Sequence, residues 1–229
     1  ETDIYPLWIA PLFNKFTELS DEELKNKIQE VTKKAGYKAE AVFVMDGSRR
    51  SKHANAYFTG FGKGKRIVLY DTLIETLNEN QLLSVLAHEI GHEKLNHIKK
   101  GLLMSLAILL VGFYIINLLI NYEPLFFAFG FDRTSYHGAL VLFSFASAPI
   151  TFWLSPLFSR LSRIHEYEAD SFAVKIMNSI TGLKTALVEL SKKSLSNFTP
   201  HPLYSFFHYS HPTLHERIKA MEGIDVKAS

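Results

Sequence analysis

His88-Glu89-Ile90-Gly91-His92 sets two imidazoles four residues apart with a carboxylate beside the first. On a helix, four residues is just over one turn, so both rings leave one face and can bind a single zinc ion. Glu89 is placed to take a proton from a water acidified by the metal, and later to hand it to a leaving amine. That is the chemistry of peptide-bond hydrolysis. The same pattern can also be two surface histidines on a helix. Its surroundings favour a metal. The helix is apolar through Leu82, Leu83, Val85, Leu86 and Ile90 and leads towards a long uncharged stretch, where bare polar groups are costly.

A catalytic zinc usually takes three protein ligands and keeps one position open. The third has to come from elsewhere in the chain. His97 is five residues past His92, about 140° around a continuing helix, and is expected to point away. Glu93 is off the face. Better candidates lie in Arg163-Ile164-His165-Glu166-Tyr167-Glu168-Ala169-Asp170. Glu166 and Asp170 are four apart and share a helical face, so Glu166 can bind zinc while Asp170 accepts a hydrogen bond from a ligand histidine. His165 and Glu168 compete as ligands, and the plainer reading is a solvated acidic helix start.

The elements that must position these groups follow from patterning. Ser20 reads as an N-cap with Glu23 completing a capping box, opening a helix that ends near Ala35 with Gly36 as its stop. Residues 41–45 are β-prone, Asp46-Gly47 is a turn, and residues 54–61 and 66–70 read as paired strands joined by the glycine-bearing 62–65 segment. A short helix spans 72–77. The helix carrying His88 begins near Asn80 and can continue into the uncharged stretch. Further helices are expected at 164–177, 182–195 and 212–221, with loops at 123–133 and around Pro200 and Pro202.

Of the 229 residues, 47% are hydrophobic, an ordinary share. Their distribution is not ordinary, because residues 101–122 and 134–159 contain no charged side chain. Such runs read as transmembrane helices, about 101–122 and 136–158, rather than as two buried core helices. Lys94, Lys99 and Lys100 precede the first and Arg160 and Arg163 follow the second, while the connecting loop has only Arg133. The positive-inside rule then puts the outer ends of the hairpin on the cytoplasmic side, which brings the 163–170 segment back beside His88 and His92. The expected organisation is a first part of the catalytic domain (1–100), a transmembrane hairpin (101–159) and a second part (160–229). The scattered Lys and Arg, at a net charge of +2, give no nucleic-acid surface. The absence of cysteine excludes disulfides, thiolate ligands and a cysteine nucleophile. Residue 1 is Glu rather than Met and the opening residues do not read as a signal peptide, so the sequence is expected to be a fragment of a longer protein.

The HExxH segment, two intervening spans and then Ser162-Arg163-Ile164-His165-Glu166-Tyr167-Glu168-Ala169-Asp170 together resemble the integral-membrane CaaX prenyl endopeptidases, zinc proteases of the gluzincin type. Further stretches carry the likeness: residues 9–17, 51–58 with Gly60-Phe61, 65–73, 128–131, and Tyr209-Ser210-His211-Pro212 with Glu216-Arg217. It extends over nearly the whole chain. It implies a mainly α membrane protein with a small β-sheet, a zincin-like core interrupted by the hairpin, and one zinc per chain. It implies Glu166 as third ligand beside His88 and His92, with Asp170 in support. It implies Asn55, Ala56 and Tyr57 as an edge that binds substrate as an added strand. His211 matches a histidine suited to stabilising the oxyanion, and Arg217 is placed to orient that site. Read without the resemblance, these two are a loop histidine before a proline and a surface ion-pair partner. The implied substrates are prenylated C-terminal peptides, cut after the modified cysteine.

Two departures from the family pattern shape the expectations. Only two spans are present where the family has several more ahead of the part matching Ile9, so the chain is a C-terminal part or a short member. The stretch between Leu73 and Leu82 lacks the long insertion of some eukaryotic members, which leans towards a bacterial or archaeal cytoplasmic membrane; an endoplasmic reticulum is the eukaryotic counterpart. The competing functions are a quality-control zinc protease of membrane proteins and a catalytically silent membrane scaffold. The second is opposed by the intact Glu89.

Overall fold

The computed structural model describes residues 14–49, 55–59, 66–193, 197 and 200–224. The 9–13 part of the first matching stretch, residues 51–54, and the 60–65 connection lie outside them. The elements in order are β1 (Phe16–Glu18), α1 (Glu22–Lys34), β2 (Ala41–Met45), β3 (Ala56–Thr59), β4 (Arg66–Tyr70), α2 (Asp71–Thr76), α3 (Glu79–Lys94), α4 (His97–Ile120), α5 (Glu123–Ala128), α6 (Tyr136–Met177), α7 (Thr181–Lys193), α8 (Pro202–His208) and α9 (Leu214–Glu222).

The four strands form one sheet in the order β1-β2-β4-β3. β2 and β4 run parallel, with Phe43 opposite Val68, and both outer strands pair antiparallel. The central strands carry β-branched and aliphatic residues, and Ile67, Val68 and Leu69 are buried. β3 is an edge strand, paired only with β4 among the described residues.

α1 starts one residue later than the capping-box pattern predicts. Asp21, not Ser20, is the cap, its Oδ1 accepting from the Leu24 N–H at 3.0 Å. A carboxylate accepts this bond more strongly at the positive end of the helix. Glu23 pairs instead with Lys27 at 2.6 Å. Gly36, at φ +63°, ends the helix as expected.

α3 is the central helix. Asn78 and Gln81 cap it reciprocally. It is buried on most sides, because α6 and α7 pack on it as well as the sheet and α1. Leu82, Leu86 and Ile90 join Ile28, Ile67, Leu73, Val174 and Leu183 in the main core. Gly91 lets α6 come close: a Cβ there would lie 3.1 Å from Ala169 Cα and 3.3 Å from its carbonyl oxygen. The helix does not continue into the first uncharged stretch. Asn96 adopts a left-handed φ of 57°, one of the few conformations asparagine tolerates better than most side chains, and α4 starts afresh at His97.

α4 and α6 are each long and apolar enough to cross a membrane. The second uncharged stretch and the helix expected at 164–177 form one 42-residue helix, α6. It tolerates two internal prolines. Pro156 removes the N–H that would bond the Phe152 carbonyl, and Ser155 Oγ donates to that carbonyl at 2.8 Å instead. The expected loop at 123–133 contains α5, whose Phe126 packs with Ala139 and Leu142 as a small separate core. α8 also forms where a loop was expected. Pro202 occupies its first turn, a position that needs no N–H, and His201 accepts the Leu203 N–H at 3.2 Å.

Candidate metal centre

α3 presents His88 and His92 to α6, which presents Glu166 and Asp170 from the part of that helix beyond its uncharged stretch. His88 Nε2 and His92 Nε2 are 3.1 Å apart. Glu166 Oε2 is 3.7 Å from the first and its Oε1 is 3.5 Å from the second. Tetrahedral zinc with bonds of about 2.0–2.1 Å holds neighbouring ligand atoms roughly 3.3 Å apart. Two nitrogens and a carboxylate oxygen at this spacing, mostly buried, fit that ion. His165 and Glu168 do not join them; they face His97 on the other side of His92.

The outer groups fix the three candidate ligands. His88 Nδ1 donates to Asp170 Oδ1 at 2.9 Å, which leaves Nε2 as the bare nitrogen. Asp170 is 1% exposed and is gripped by Arg217, whose Nε donates to Oδ2 at 2.8 Å and whose Nη2 donates to Oδ1 at 2.6 Å. Arg217 Nη1 lies 3.2 Å from Glu166 Oε2. Its Nη2 also lies 3.4 Å from His88 Nδ1. Both atoms are donors here, so this reflects a shared approach to Asp170 rather than a bond. His211 Nδ1 is 3.1 Å from Glu166 Oε1 at the open side of the site, and the ring is largely exposed.

The electrostatics suit hydrolysis. Burial pushes the Glu89 carboxyl up, assisted by the Glu166 charge, which makes it a stronger base. Burial lowers His92 to about 4, keeping it in the neutral form that a metal would require. Burial would raise Glu166, but the His211 hydrogen bond and the Arg217 charge outweigh it and hold the carboxyl down to about 2. The same bond pushes His211 up, which favours a charged donor there.

Asn55, Ala56 and Tyr57 fall at the start of the edge strand β3, which packs against α3. The Asn55 carbonyl accepts the Tyr70 N–H at 3.0 Å, so it faces β4. Ala56 N–H is taken by Asn55 Oδ1 at 2.9 Å. By strand alternation the Ala56 carbonyl faces outward.

Two residues were misjudged or passed over by sequence reasoning. His97 does not point away: its Nδ1 lies 3.0 Å from His92 Nδ1, because the chain turns at Asn96 instead of continuing as a helix. The asparagine between Leu95 and His97 was the available signal. Arg163, given no role of its own beyond a flanking charge and a place in the matching 162–170 stretch, donates from Nη1 to the carbonyls of Tyr209 at 2.9 Å and Ser205 at 3.4 Å. It ties down the end of α8 just ahead of His211. No spacing rule points to a contact 46 residues away.

The model of peptidase family M48 matches residues 18–225. The curated relatives include a CAAX prenyl protease 1 homolog of Arabidopsis thaliana, 45% identical over 227 residues that cover 98% of this chain and 53% of the relative. CAAX prenyl protease 1 of Saccharomyces cerevisiae is 38% identical, covering 98% and 53%. The human CAAX prenyl protease 1 homolog is 36% identical over 258 residues, covering 96% and 54%. Among solved structures, the crystal structure of S. mikatae Ste24p matches with a TM-score of 0.86 at 37% identity, over 96% of this chain and 55% of that one. The chain thus spans about half the length of the curated relatives it matches. These relatives are eukaryotic, and the leaning to a bacterial or archaeal source finds no support. That leaning rested on the short 73–82 stretch, and loop length is thermodynamically cheap to vary and so a weak guide to source.

Proposed function

We propose, since the chain belongs to peptidase family M48, that it is a membrane-embedded zinc endopeptidase with a zincin-like site, cleaving CaaX-type C-terminal segments of prenylated proteins or peptides. The observation that carries this reading is the convergence of His88, His92 and Glu166 with Glu89 alongside. The substrate class rests on the relatives, whose names specify CAAX prenyl proteolysis. Zinc bound here would supply a Lewis acid that acidifies water and polarises the scissile carbonyl. Glu89 would take the proton of the attacking water and return it to the leaving amine. His211, on the open side, would donate to the oxyanion, while Arg217 and Asp170 hold His88 and Glu166 in place. An extended peptide would add to the outward face of β3, using the Ala56 carbonyl.

In this reading the hairpin of α4 and the uncharged part of α6 crosses the bilayer, with the site on the cytoplasmic side. Given eukaryotic relatives, the endoplasmic reticulum membrane is the expected location. A quality-control role has no specific observation in its favour, and a silent scaffold has no use for Glu89.

The test is cleavage of a farnesylated CaaX peptide by the purified chain in lipid nanodiscs, beside the unmodified peptide. The farnesylated peptide should be cut faster. Glu89→Gln should reduce turnover by about 10²–10⁴-fold while about one zinc per chain remains. Proteolysis that survives Glu89→Gln would defeat the mechanism; equal cutting of both peptides would defeat the prenyl preference.

A further inference from the structure

We infer that Glu168 and His97 form a relay that positions His92 as a metal ligand, one imidazole longer than the direct Asp170–His88 pairing. This rests on the metal reading of His88, His92 and Glu166.

For a neutral His97, proton counting along the chain of contacts gives a single consistent assignment. His97 Nε2 is 2.9 Å from Glu168 Oε2. An ionised carboxylate only accepts, so His97 Nε2 carries the hydrogen. In neutral His97 the Nδ1 is then a bare acceptor. His97 Nδ1 is 3.0 Å from His92 Nδ1, which must therefore carry its own hydrogen. That leaves His92 Nε2 with its lone pair free, and this is the atom 3.1 Å from His88 Nε2 and 3.5 Å from Glu166. A carboxylate two contacts away thus selects which nitrogen of His92 faces the metal position.

The fold makes the relay possible at two points. The left-handed Asn96 lets His97 turn back over His92. The His165 ring then stacks on His97, with centroids 4.1 Å apart and planes within 9°, which sets the plane of the His97 ring. The same stack argues against a second metal held by His97, His165 and Glu168. Two parallel rings cannot both aim an in-plane lone pair at one ion. His97 is buried, whereas the Glu168 side chain is 45% exposed, so Glu168 can be changed without opening the core.

The experiment measures zinc affinity of the full purified chain in nanodiscs by competition with a chromophoric chelator, together with melting of the metal-free and zinc-loaded forms. His97→Phe and Glu168→Ala should each weaken zinc binding by about 10–100-fold. Glu168→Gln, whose amide oxygen can still accept from His97, should restore affinity close to the parent value. The double variant His97→Phe with Glu168→Ala should be no weaker than His97→Phe alone. Metal-free melting of Glu168→Ala should match the parent, with the loss confined to the zinc-loaded form. Unchanged zinc affinity in Glu168→Ala, or additive losses in the double variant, would overturn the relay; so would a second zinc per chain that disappears in His165→Ala. If the parent chain itself bound no zinc, the underlying metal reading would fail instead. Glu168→Ala keeps the test decisive even where His97→Phe does not fold.

Discussion

α6 passes through two regions built on opposite rules. In its first half Phe145 is 74% exposed and Trp153 69%, and across the hairpin Leu103 on α4 is 69% exposed. In its second half Glu166 and Asp170 are buried against α3. An aqueous protein would reverse this arrangement. Both halves make sense if the first is solvated by lipid and the second by its own hydrogen-bond partners. In the hairpin, apolar surface needs no protein neighbour. At the crossing of α3 and α6, the two carboxylates of α6 are answered: Asp170 by Arg217 and His88, Glu166 by Arg217 and His211. The lesson is that burial here is governed by what each group is offered in exchange for water, and one helix can meet two answers along its length.

The contrast can be broken most severely at Asp170. Asp170→Ala should leave Arg217 buried without its bidentate partner and His88 without its acceptor, at a cost of about 3–5 kcal/mol. Denaturant unfolding in nanodiscs, together with zinc content, would register this, and near-parent values of both would refute the account of the crossing. In the hairpin the corresponding break is Leu110→Lys. A lysine in mid-span costs about 2.5–3.5 kcal/mol of insertion free energy. It should lower membrane integration in a glycosylation-mapping assay, while Leu110→Phe should not. A tolerant hairpin would mean that α4 does not face lipid at this position. The smallest effect is expected at the seam between the two regions. Gly91→Ala pushes a methyl to within 3.1 Å of the α6 backbone and should destabilise by about 1–3 kcal/mol. Activity should fall with it as the ligand distances open. A stabilised Gly91→Ala protein would show that the close approach is not required.

Much of the site could be read directly because its parts are periodic. HExxH on an apolar helix, a Glu166–Asp170 pair at helical spacing and two uncharged runs of membrane length each encode a local geometry. The strands at 41–45 and 66–70 were equally legible from their β-branched residues. What failed was local where a single residue chose between alternatives. Asp21 displaced Ser20 as a cap, and Asn96 ended a helix that periodicity would have carried on. β1 and α8 gave little signal, the first being three residues long and the second an aromatic-rich run behind two prolines.

The sequence by itself determined which atoms could hold a metal, which segments are long and apolar enough to cross a membrane, and which positive charges flank them. These follow from spacing and charge alone. Only the tertiary structure decided that Glu166, rather than His165 or Glu168, meets the two histidines, that Arg217 clamps Asp170, and that His97 backs His92. Those outcomes depend on how α6 rotates against α3. The close approach of Gly91 to Ala169 belongs to that rotation, and no linear pattern specifies which residue of α6 meets Gly91.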